Sequence, residues 1–428
     1  MRHYFLNLFL LAWLLYFLIL ALLPATYSGG SYFDSVFYLS GFVLGASATF
    51  LLLMSRVSLK GNLDQAGFSE PKYLNKMILA CSAFSVYGVL LLMYDRILVQ
   101  GVDYTHGIAF AREYWRAVGE VRAGVSSILS FVGNLLSGFP IVLLALLYLY
   151  YEKLSFKLRA LSVGSMVFSL AASALLSGGR STVLIFILSL MLIGFTRKYK
   201  SIGVIPKSIR PIELMFSIFS LAAFLFYMVY VFHLRAVESG RSSLQYLLSH
   251  LERLGGRYTG NMEGGGGFSF FNDVLNYLNL VGTYLVHSVW TFQSILNLEH
   301  YEGAVTFSFY RMHLSRIFGF DIPVDWEFAG LFSTFPGAFY YDYGVVGAVL
   351  SSLATGVLIF CATLILYRRT LSPLHIGAFL ACMYIALLSP LVFAADMMVF
   401  PFVLFDFLLI YLMFYPGARV LSYFKREG

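Results

Sequence analysis

A glycine-containing turn, Ser177–Ser181, joins two apolar segments and gives the strongest local signal for chemistry in the chain. Its two glycines allow a tight turn, and the amides exposed at the start of the next helix attract anions. Arg180 lies in the same turn at the depth of a membrane surface, where charge is costly and usually functional. The turn therefore predicts an anion site, although Ser181 is equally suited to cap the next helix.

Further arginines follow in two groups. Arg235 and Arg241 come shortly after an apolar segment, and Arg311 and Arg316 flank His313. Arginine binds phosphate oxygens through two parallel hydrogen bonds, so we expect these four residues, together with Arg180, to bind a strongly charged anion, which the family resemblance given below implies is a diphosphate. Neighbouring positive charge favours the neutral form of a histidine, which a general base needs. A structural histidine and arginines that only reach toward the membrane surface are the alternative interpretation.

Carboxylates beside aromatic rings form a third type of candidate. The tripeptide Asp325–Glu327 places two acids around Trp326, and Tyr341 precedes Asp342. Aromatic rings stack on sugar faces, and carboxylates bind hydroxyl groups or activate them. We therefore predict Asp325, Trp326 and Tyr341 as sugar-binding residues. Glu327 and Asp342 join His313 as candidate bases.

Composition excludes a soluble protein. Of the 428 residues, 59% are hydrophobic and only 12% charged, and several apolar runs are long enough to cross a bilayer. The net charge of +7 is interpreted as a signal of membrane topology and not of nucleic-acid binding. The sequence contains no P-loop, no dinucleotide fingerprint, no HExxH motif and no zinc-type cysteine spacing. We expect neither a metal nor a cofactor.

The apolar pattern predicts an all-α, polytopic helix bundle with about ten spans, possibly twelve, and with both termini in the cytoplasm. The predicted spans are 4–23, 33–54, 77–94, 125–151, 160–176, 182–196, 212–232, 336–367, 373–394 and 397–415.

The chain divides by this pattern into an N-terminal membrane bundle at 1–232, a large outer loop at 233–335, and C-terminal spans with a tail at 336–428. Within the loop, leucines at helical spacing predict an amphipathic interfacial helix over 244–254. The glycine tract at 264–267 predicts a flexible hinge. The apolar stretch 270–298 is interpreted as a surface helix packed on the bundle, with a re-entrant segment or additional spans as the alternative.

Lysine and arginine are distributed differently across the predicted membrane. All nine lysines fall on the cytoplasmic side: Lys60, Lys72, Lys76, Lys153, Lys157, Lys198, Lys200, Lys207 and Lys425. The outer side carries only arginine: Arg96, Arg112, Arg116, Arg122, Arg180, Arg235, Arg241, Arg253, Arg257, Arg311 and Arg316. An outer face with arginine alone suggests a site for a fixed, strongly charged anion. Pairing of these arginines with outer carboxylates is the alternative.

Three segments resemble Wzy-type O-antigen polymerases. The turn Ser177–Ser181, followed by a span that ends in Arg197 and Lys198, is similar to their glycine–arginine element. The exit His233–Arg235 into a large outer loop is similar as well. The re-entry through 335–338 and 341–347 resembles the aromatic–acid–aromatic–Gly–x–x–Gly start of a late span in these polymerases.

This resemblance implies a GT-C-like integral-membrane glycosyltransferase in the bacterial inner membrane, with its active site facing the periplasm and without a metal. Donor and acceptor would both be undecaprenyl-diphosphate-linked oligosaccharides, and the growing glycan would pass to the incoming repeat unit. Membrane lipids and a chain-length regulator are the other expected partners. An O-antigen ligase-like transferase, a flippase for a lipid-linked glycan and a non-catalytic assembly subunit stay open as alternatives.

Overall fold

A computed structural model of the chain describes helical segments and their connections. The described residues are 3–27, 32–57, 71–105, 128–177, 181–200, 202–206, 240–260, 269–298, 305–307, 333–367, 371–397 and 399–415, with isolated positions between them. They form twelve helices of eight residues or more and two short strands. The predicted all-α class is confirmed for this part of the chain. The contacts divide the chain into two compact units.

The first unit comprises residues 1–59, 215–363 and 382–397. It contains helices α1 (Tyr4–Leu22), α2 (Tyr32–Arg56), α8 (Ser243–Arg253), α9 (Ser269–Leu296) and most of α10 (Phe335–Leu366), with strands β1 (Ala25–Tyr27) and β2 (Gly256–Tyr258). The strands pair antiparallel, with Thr26 opposite Arg257.

The second unit comprises residues 60–214, 364–381 and 398–428. Its helices are α3 (Leu74–Tyr94), α4 (Ile128–Leu135), α5 (Phe139–Leu149), α6 (Phe156–Ser177), α7 (Ser181–Tyr199), most of α11 (Pro373–Leu388) and α12 (Val399–Phe414). Helix α3 packs against α4, α5 and α6. Each unit combines early, middle and late segments of the chain, and the three-part division at 1–232, 233–335 and 336–428 stays a prediction.

Six segments are long and apolar enough to cross a membrane. They are Tyr4–Leu22, Phe33–Arg56, Leu74–Val99, Ile128–Leu149, Phe156–Leu176 and Phe335–Leu366. All six were predicted as spans, and apolar side chains such as Leu14 and Leu44 are exposed on them, as expected for lipid-facing helices. Helices α11 and α12 have 16 residues each and are shorter than a typical span. Most of the predicted span 212–232 lies outside the described residues.

Helix α10 contains a break within the segment used for the resemblance. Gly344 has φ 61° and ψ −149°, a backbone conformation that only glycine adopts without strain. At Gly347, a Cβ atom would collide with the carbonyl oxygen of Phe339. The two glycines therefore permit a kink and a close backbone approach. A first short helical segment ends at Tyr343, just after Asp342.

The predicted amphipathic helix is confirmed as α8. Ser242 and Gln245 form a capping box at its start, because each side chain bonds the backbone amide of the other. Leu247 and Leu251 are buried while the opposite face is polar. Glycines 264–267 lie outside the described residues.

The stretch 270–298 forms one helix, α9, which is more deeply buried than the expected surface helix. Residues 286–293 are buried on every face, and α9 packs against α1 and α2. The buried Ser288 finds two partners inside the unit, since it bonds the Tyr16 hydroxyl over 2.9 Å and donates to the Pro390 carbonyl over 2.7 Å. Satisfied polar groups remove the cost that would otherwise keep them at the surface.

Candidate functional site

The end of α3 and the end of α6 meet ahead of the Ser177–Ser181 turn. After α3, Asp95–Val99 forms a single π-helical turn, a local form often found at functional sites. Gly101, with φ 66°, then reverses the chain. This path places two donors at one acceptor: Arg96 Nη1 hydrogen bonds the Leu176 carbonyl oxygen, and the Tyr104 hydroxyl donates to the same oxygen over 3.2 Å.

We call Arg96, Tyr104 and the Leu176 carbonyl the α6 clamp. Leu176 lies in the last turn of α6, where the carbonyls lack partners within their own helix. A guanidinium is favourable there because the C-terminus of a helix carries partial negative charge. Arg96 is only 6% exposed. The clamp holds the backbone immediately before the predicted anion site, and it connects residues that are 80 positions apart in sequence.

Most of the predicted site residues lie outside the described residues. These are Arg180, Arg235, Arg311, His313, Arg316, Asp325, Trp326 and Glu327. Arg241, Tyr341 and Asp342 are described, and all three belong to the first unit. Anion binding by Arg241, sugar binding by Tyr341 and base catalysis by Asp342 remain predictions.

Asp342 anchors the chain segment that precedes Arg311 and His313. One carboxylate oxygen accepts from the Val305 amide over 2.9 Å, and the other accepts from the Thr306 amide over 2.6 Å and from the Thr306 hydroxyl. Asp342 is 6% exposed. A general base must offer a free lone pair to a substrate hydroxyl, and these three contacts use most of the four acceptor positions of the carboxylate. The contacts favour an anchoring role over the predicted role as a base.

The segment held by Asp342 also packs on an aromatic cluster. The ring of Phe307 makes an edge contact with Phe393, whose centroid lies 5.2 Å away. Phe393 in turn stacks on Phe335 with a centroid distance of 4.7 Å. Phe307 has φ 61°, an unusual backbone conformation for a residue with a side chain. The carboxylate bonds and the ring contacts together place residues 305–307 firmly against α10.

Tyr341 and Arg241 differ in exposure. Tyr341 is buried, so its ring is not open as a platform for a sugar, whereas the neighbouring Tyr343 is 48% exposed. Arg241 is exposed, and its Nη1 donates to the Ser249 hydroxyl over 2.9 Å on α8. An exposed guanidinium with one neutral partner keeps most of its donors for an anion.

A histidine–tyrosine cluster on α8 and α9 was not predicted. The His250 ring stacks on Tyr284 with a centroid distance of 4.5 Å and an interplanar angle of 7°. The buried His287 also contacts Tyr284. Their ring centroids lie 5.9 Å apart in an edge arrangement, and His287 Nδ1 lies 2.9 Å from the Tyr284 carbonyl oxygen. His287 follows Tyr284 by three positions, a spacing that places both on one helix face and that could have revealed this pair.

The described residues include no group of three His, Cys, Asp or Glu side chains arranged to hold a metal ion. No family model, no curated protein and no solved structure matched this chain in the comparisons with known proteins. The likeness to Wzy-type polymerases therefore continues to depend on the three sequence segments that carry it.

Proposed function

We propose that the protein is a metal-independent glycosyltransferase that polymerises undecaprenyl-diphosphate-linked repeat units at the periplasmic face of the bacterial inner membrane. One observation carries the proposal: the buried Arg96 and the partly buried Tyr104, both of which follow α3 in the chain, bond the Leu176 carbonyl directly ahead of residues 178–180. A transferase that uses no metal needs fixed positive groups at the departing diphosphate, because preorganised donors cost no rearrangement during the reaction. The clamp fixes the end of α6, from which the chain continues to Arg180.

In the proposed reaction, a hydroxyl oxygen of the acceptor repeat unit attacks the anomeric carbon of the donor glycan. The bond between that carbon and the diphosphate oxygen breaks, and the electron pair leaves with undecaprenyl diphosphate. Arg180 and Arg235 neutralise the charge that develops on the diphosphate. The acceptor hydroxyl proton passes to a general base, for which His313 is the first candidate and Glu327 the second. Asp342 positions the segment that leads to His313.

The proposal is tested with purified protein in liposomes that contain a fluorescent lipid-linked oligosaccharide. Wild type should produce a ladder of longer glycans. Arg180→Lys should lower the rate by about a hundredfold or more, because the ammonium loses the two-pronged grip on phosphate. Arg253→Lys is the matched control, since Arg253 is an exposed outer arginine on α8. A full ladder from Arg180→Lys, or none from wild type, would contradict the proposal.

A transporter for a lipid-linked glycan is the second candidate, and one acid favours it. Asp406 on α12 is fully buried, and its carboxyl lies against the backbone of Gly138 and Phe139 at the start of α5. Among the described residues, no arginine or lysine pairs with it. Buried acids of this kind carry protons in many transporters. Movement of the fluorescent lipid between leaflets without ladder formation, abolished by Asp406→Asn, would favour transport.

A further inference from the structure

Helices α3 and α6 run parallel, and their first turns lie side by side. The hydroxyl oxygens of Ser82 on α3 and Ser162 on α6 are 3.5 Å apart, and Arg96, just after α3, bonds Leu176 near the end of α6. Both pairs are separated by 80 positions in the sequence. The equal offset at two points shows that the helices run in register, since each rises by about 1.5 Å per residue.

Four exposed lysines surround these two helix starts. Lys72 and Lys76 lie at the start of α3, and Lys153 and Lys157 lie at the start of α6. By the common offset, Lys76 is level with Phe156, the residue that precedes Lys157. We call these four residues the lysine surface. It belongs to the second unit and to the predicted cytoplasmic side of the membrane.

The described part of the chain offers no carboxylate to the lysine surface. Glu152 precedes Lys153, but Arg197 engages it, with Nη1 of the arginine 3.1 Å from Oε2 of the glutamate. None of the four lysines forms an ion pair with a described residue. Like charges that are held close together repel one another, so an anion bound among them is favourable.

Apolar side chains continue from the lysines along both helices. Leu79 follows Lys76 by three positions and is 54% exposed, and Leu161 follows Lys157 by four positions and is 49% exposed. These spacings place each leucine on the same helix face as its lysine. Both helices belong to segments long and apolar enough to span a membrane. A free phosphate has no use for the leucines, whereas a phospholipid can lay its acyl chains on them.

We propose that the lysine surface binds an anionic phospholipid with two phosphates in one head group, diphosphatidylglycerol. One phosphate lies between Lys72 and Lys76, and the other lies between Lys153 and Lys157. Basic sites between transmembrane helices on the cytoplasmic side suit such head groups.

The register of the two helices separates this site from ordinary contact with anionic lipid. Lysines are common on the cytoplasmic side of membrane proteins, and any single one attracts any anionic lipid. Two pairs held level on neighbouring helices favour a lipid whose phosphates are linked, because the second contact then forms within one molecule. The inference is independent of the function proposed above.

The binding test uses the full-length protein in a neutral detergent. Diphosphatidylglycerol and phosphatidylglycerol are titrated separately at equal phosphate concentration, and binding is followed by microscale thermophoresis. Diphosphatidylglycerol should bind about tenfold more tightly, and added salt should weaken its binding because the lysines are exposed. Equal affinities per phosphate, or no binding, would overturn the inference.

A matched pair of double variants tests the residues. Lys76→Gln with Lys157→Gln should weaken binding of diphosphatidylglycerol about tenfold, while Lys76→Arg with Lys157→Arg should retain it. Arg56→Gln with Lys198→Gln removes two charges from exposed positions on α2 and α7 and should change nothing. If the first variant is less stable in detergent than wild type, Lys72→Gln with Lys153→Gln replaces it. Equal losses in the test and control variants would contradict the proposal.

Polyprenyl diphosphate without sugar is the competing probe, because its two phosphates are joined directly. Diphosphatidylglycerol should bind more tightly than this probe. Tighter binding of polyprenyl diphosphate, lost in Lys76→Gln with Lys157→Gln, would overturn the assignment of the phospholipid. None of these measurements needs turnover, so their outcome is separate from that of the polymerisation assay.

Discussion

Two buried arginines in the second unit, Arg96 and Arg197, hold helix ends on opposite predicted faces of the membrane. Arg96 bonds the Leu176 carbonyl at the end of α6. Arg197 donates to the carbonyls of Tyr148 over 2.6 Å and Gly203 over 3.0 Å, and it forms a salt bridge with Glu152. We call the second group the α5 clamp, because Tyr148 lies in the last turn of α5.

The surroundings of the two clamps differ, and the difference distinguishes an arginine that stabilises the fold from one that can support a functional site. Arg197 is 0% exposed, a carboxylate neutralises it, and its guanidinium also lies over the Tyr148 ring at 5.4 Å. Arg96 bonds Leu176, which lines an open apolar groove and precedes the segment of the chain that contains Arg180. A buried arginine whose donors are consumed by carbonyls and an acid stabilises the fold. The same residue type beside an open groove can support a site.

The largest expected effect comes from breaking the α5 clamp. Arg197→Met should lower the free energy of unfolding by about 3 kcal/mol, because Glu152 and several carbonyls lose their partner at once. Thermal unfolding in detergent measures the loss, with Lys198→Met as the control at the exposed neighbouring position. An unchanged melting temperature in Arg197→Met would show that the clamp contributes nothing to stability.

Breaking the α6 clamp should destabilise the protein less than breaking the α5 clamp, but it should lower activity more. Arg96→Met should cost about 1.5–3 kcal/mol, the usual range for a hydrogen bond to a charged group. Polymerisation should fall further than binding, because the end of α6, which precedes Arg180 in the chain, loses its fixed position. Tyr104→Phe is the companion variant and removes the second donor alone. Normal polymerisation by a folded Arg96→Met protein would rule out the positioning role.

The smallest expected effect is a pH dependence next to the α5 clamp. Lys200 follows α7 outside the predicted spans, and burial lowers its pKa from 10.5 to about 8. The unfolded chain binds this proton more tightly, so stability should rise as pH increases from about 8 toward 10.5. Lys200→Met should flatten that rise and add up to about 1 kcal/mol at pH 7. Lys198→Met is the exposed control, and identical pH profiles for wild type and Lys200→Met would contradict the assignment.

Much of the helical architecture was predictable from the sequence. Long apolar runs predicted the segments that form α1, α2, α3 and α6, because a backbone in lipid must satisfy its own hydrogen bonds and does so as a helix. The helical spacing of the leucines predicted α8, because the apolar face of an amphipathic helix must be buried against other residues. The extent of α9 was predicted but its burial was not, because the burial depends on partners for Ser288, the Tyr16 hydroxyl on α1 and the Pro390 carbonyl.

The candidate site was predictable only in its residue types. Arginine and glycine at 178–180 indicated an anion site by their chemistry. Arg96 was one of eleven outer arginines, and nothing local distinguished it. Its role depends on Leu176, which is 80 positions away. Asp342 was predicted as a base from its acidic group and neighbours, while its contacts with Val305 and Thr306 favour an anchor.

The sequence by itself determined that this chain is helical, apolar and membrane-spanning in character, because those properties follow from composition and from periodicity within one segment. Only the tertiary structure decided which arginines are consumed by carbonyls and carboxylates, where α3 and α6 leave a groove, and what Asp342 holds. Each of these depends on groups distant in sequence that meet at one point. The energy of such a contact depends on both residues, so it cannot be inferred from either residue alone.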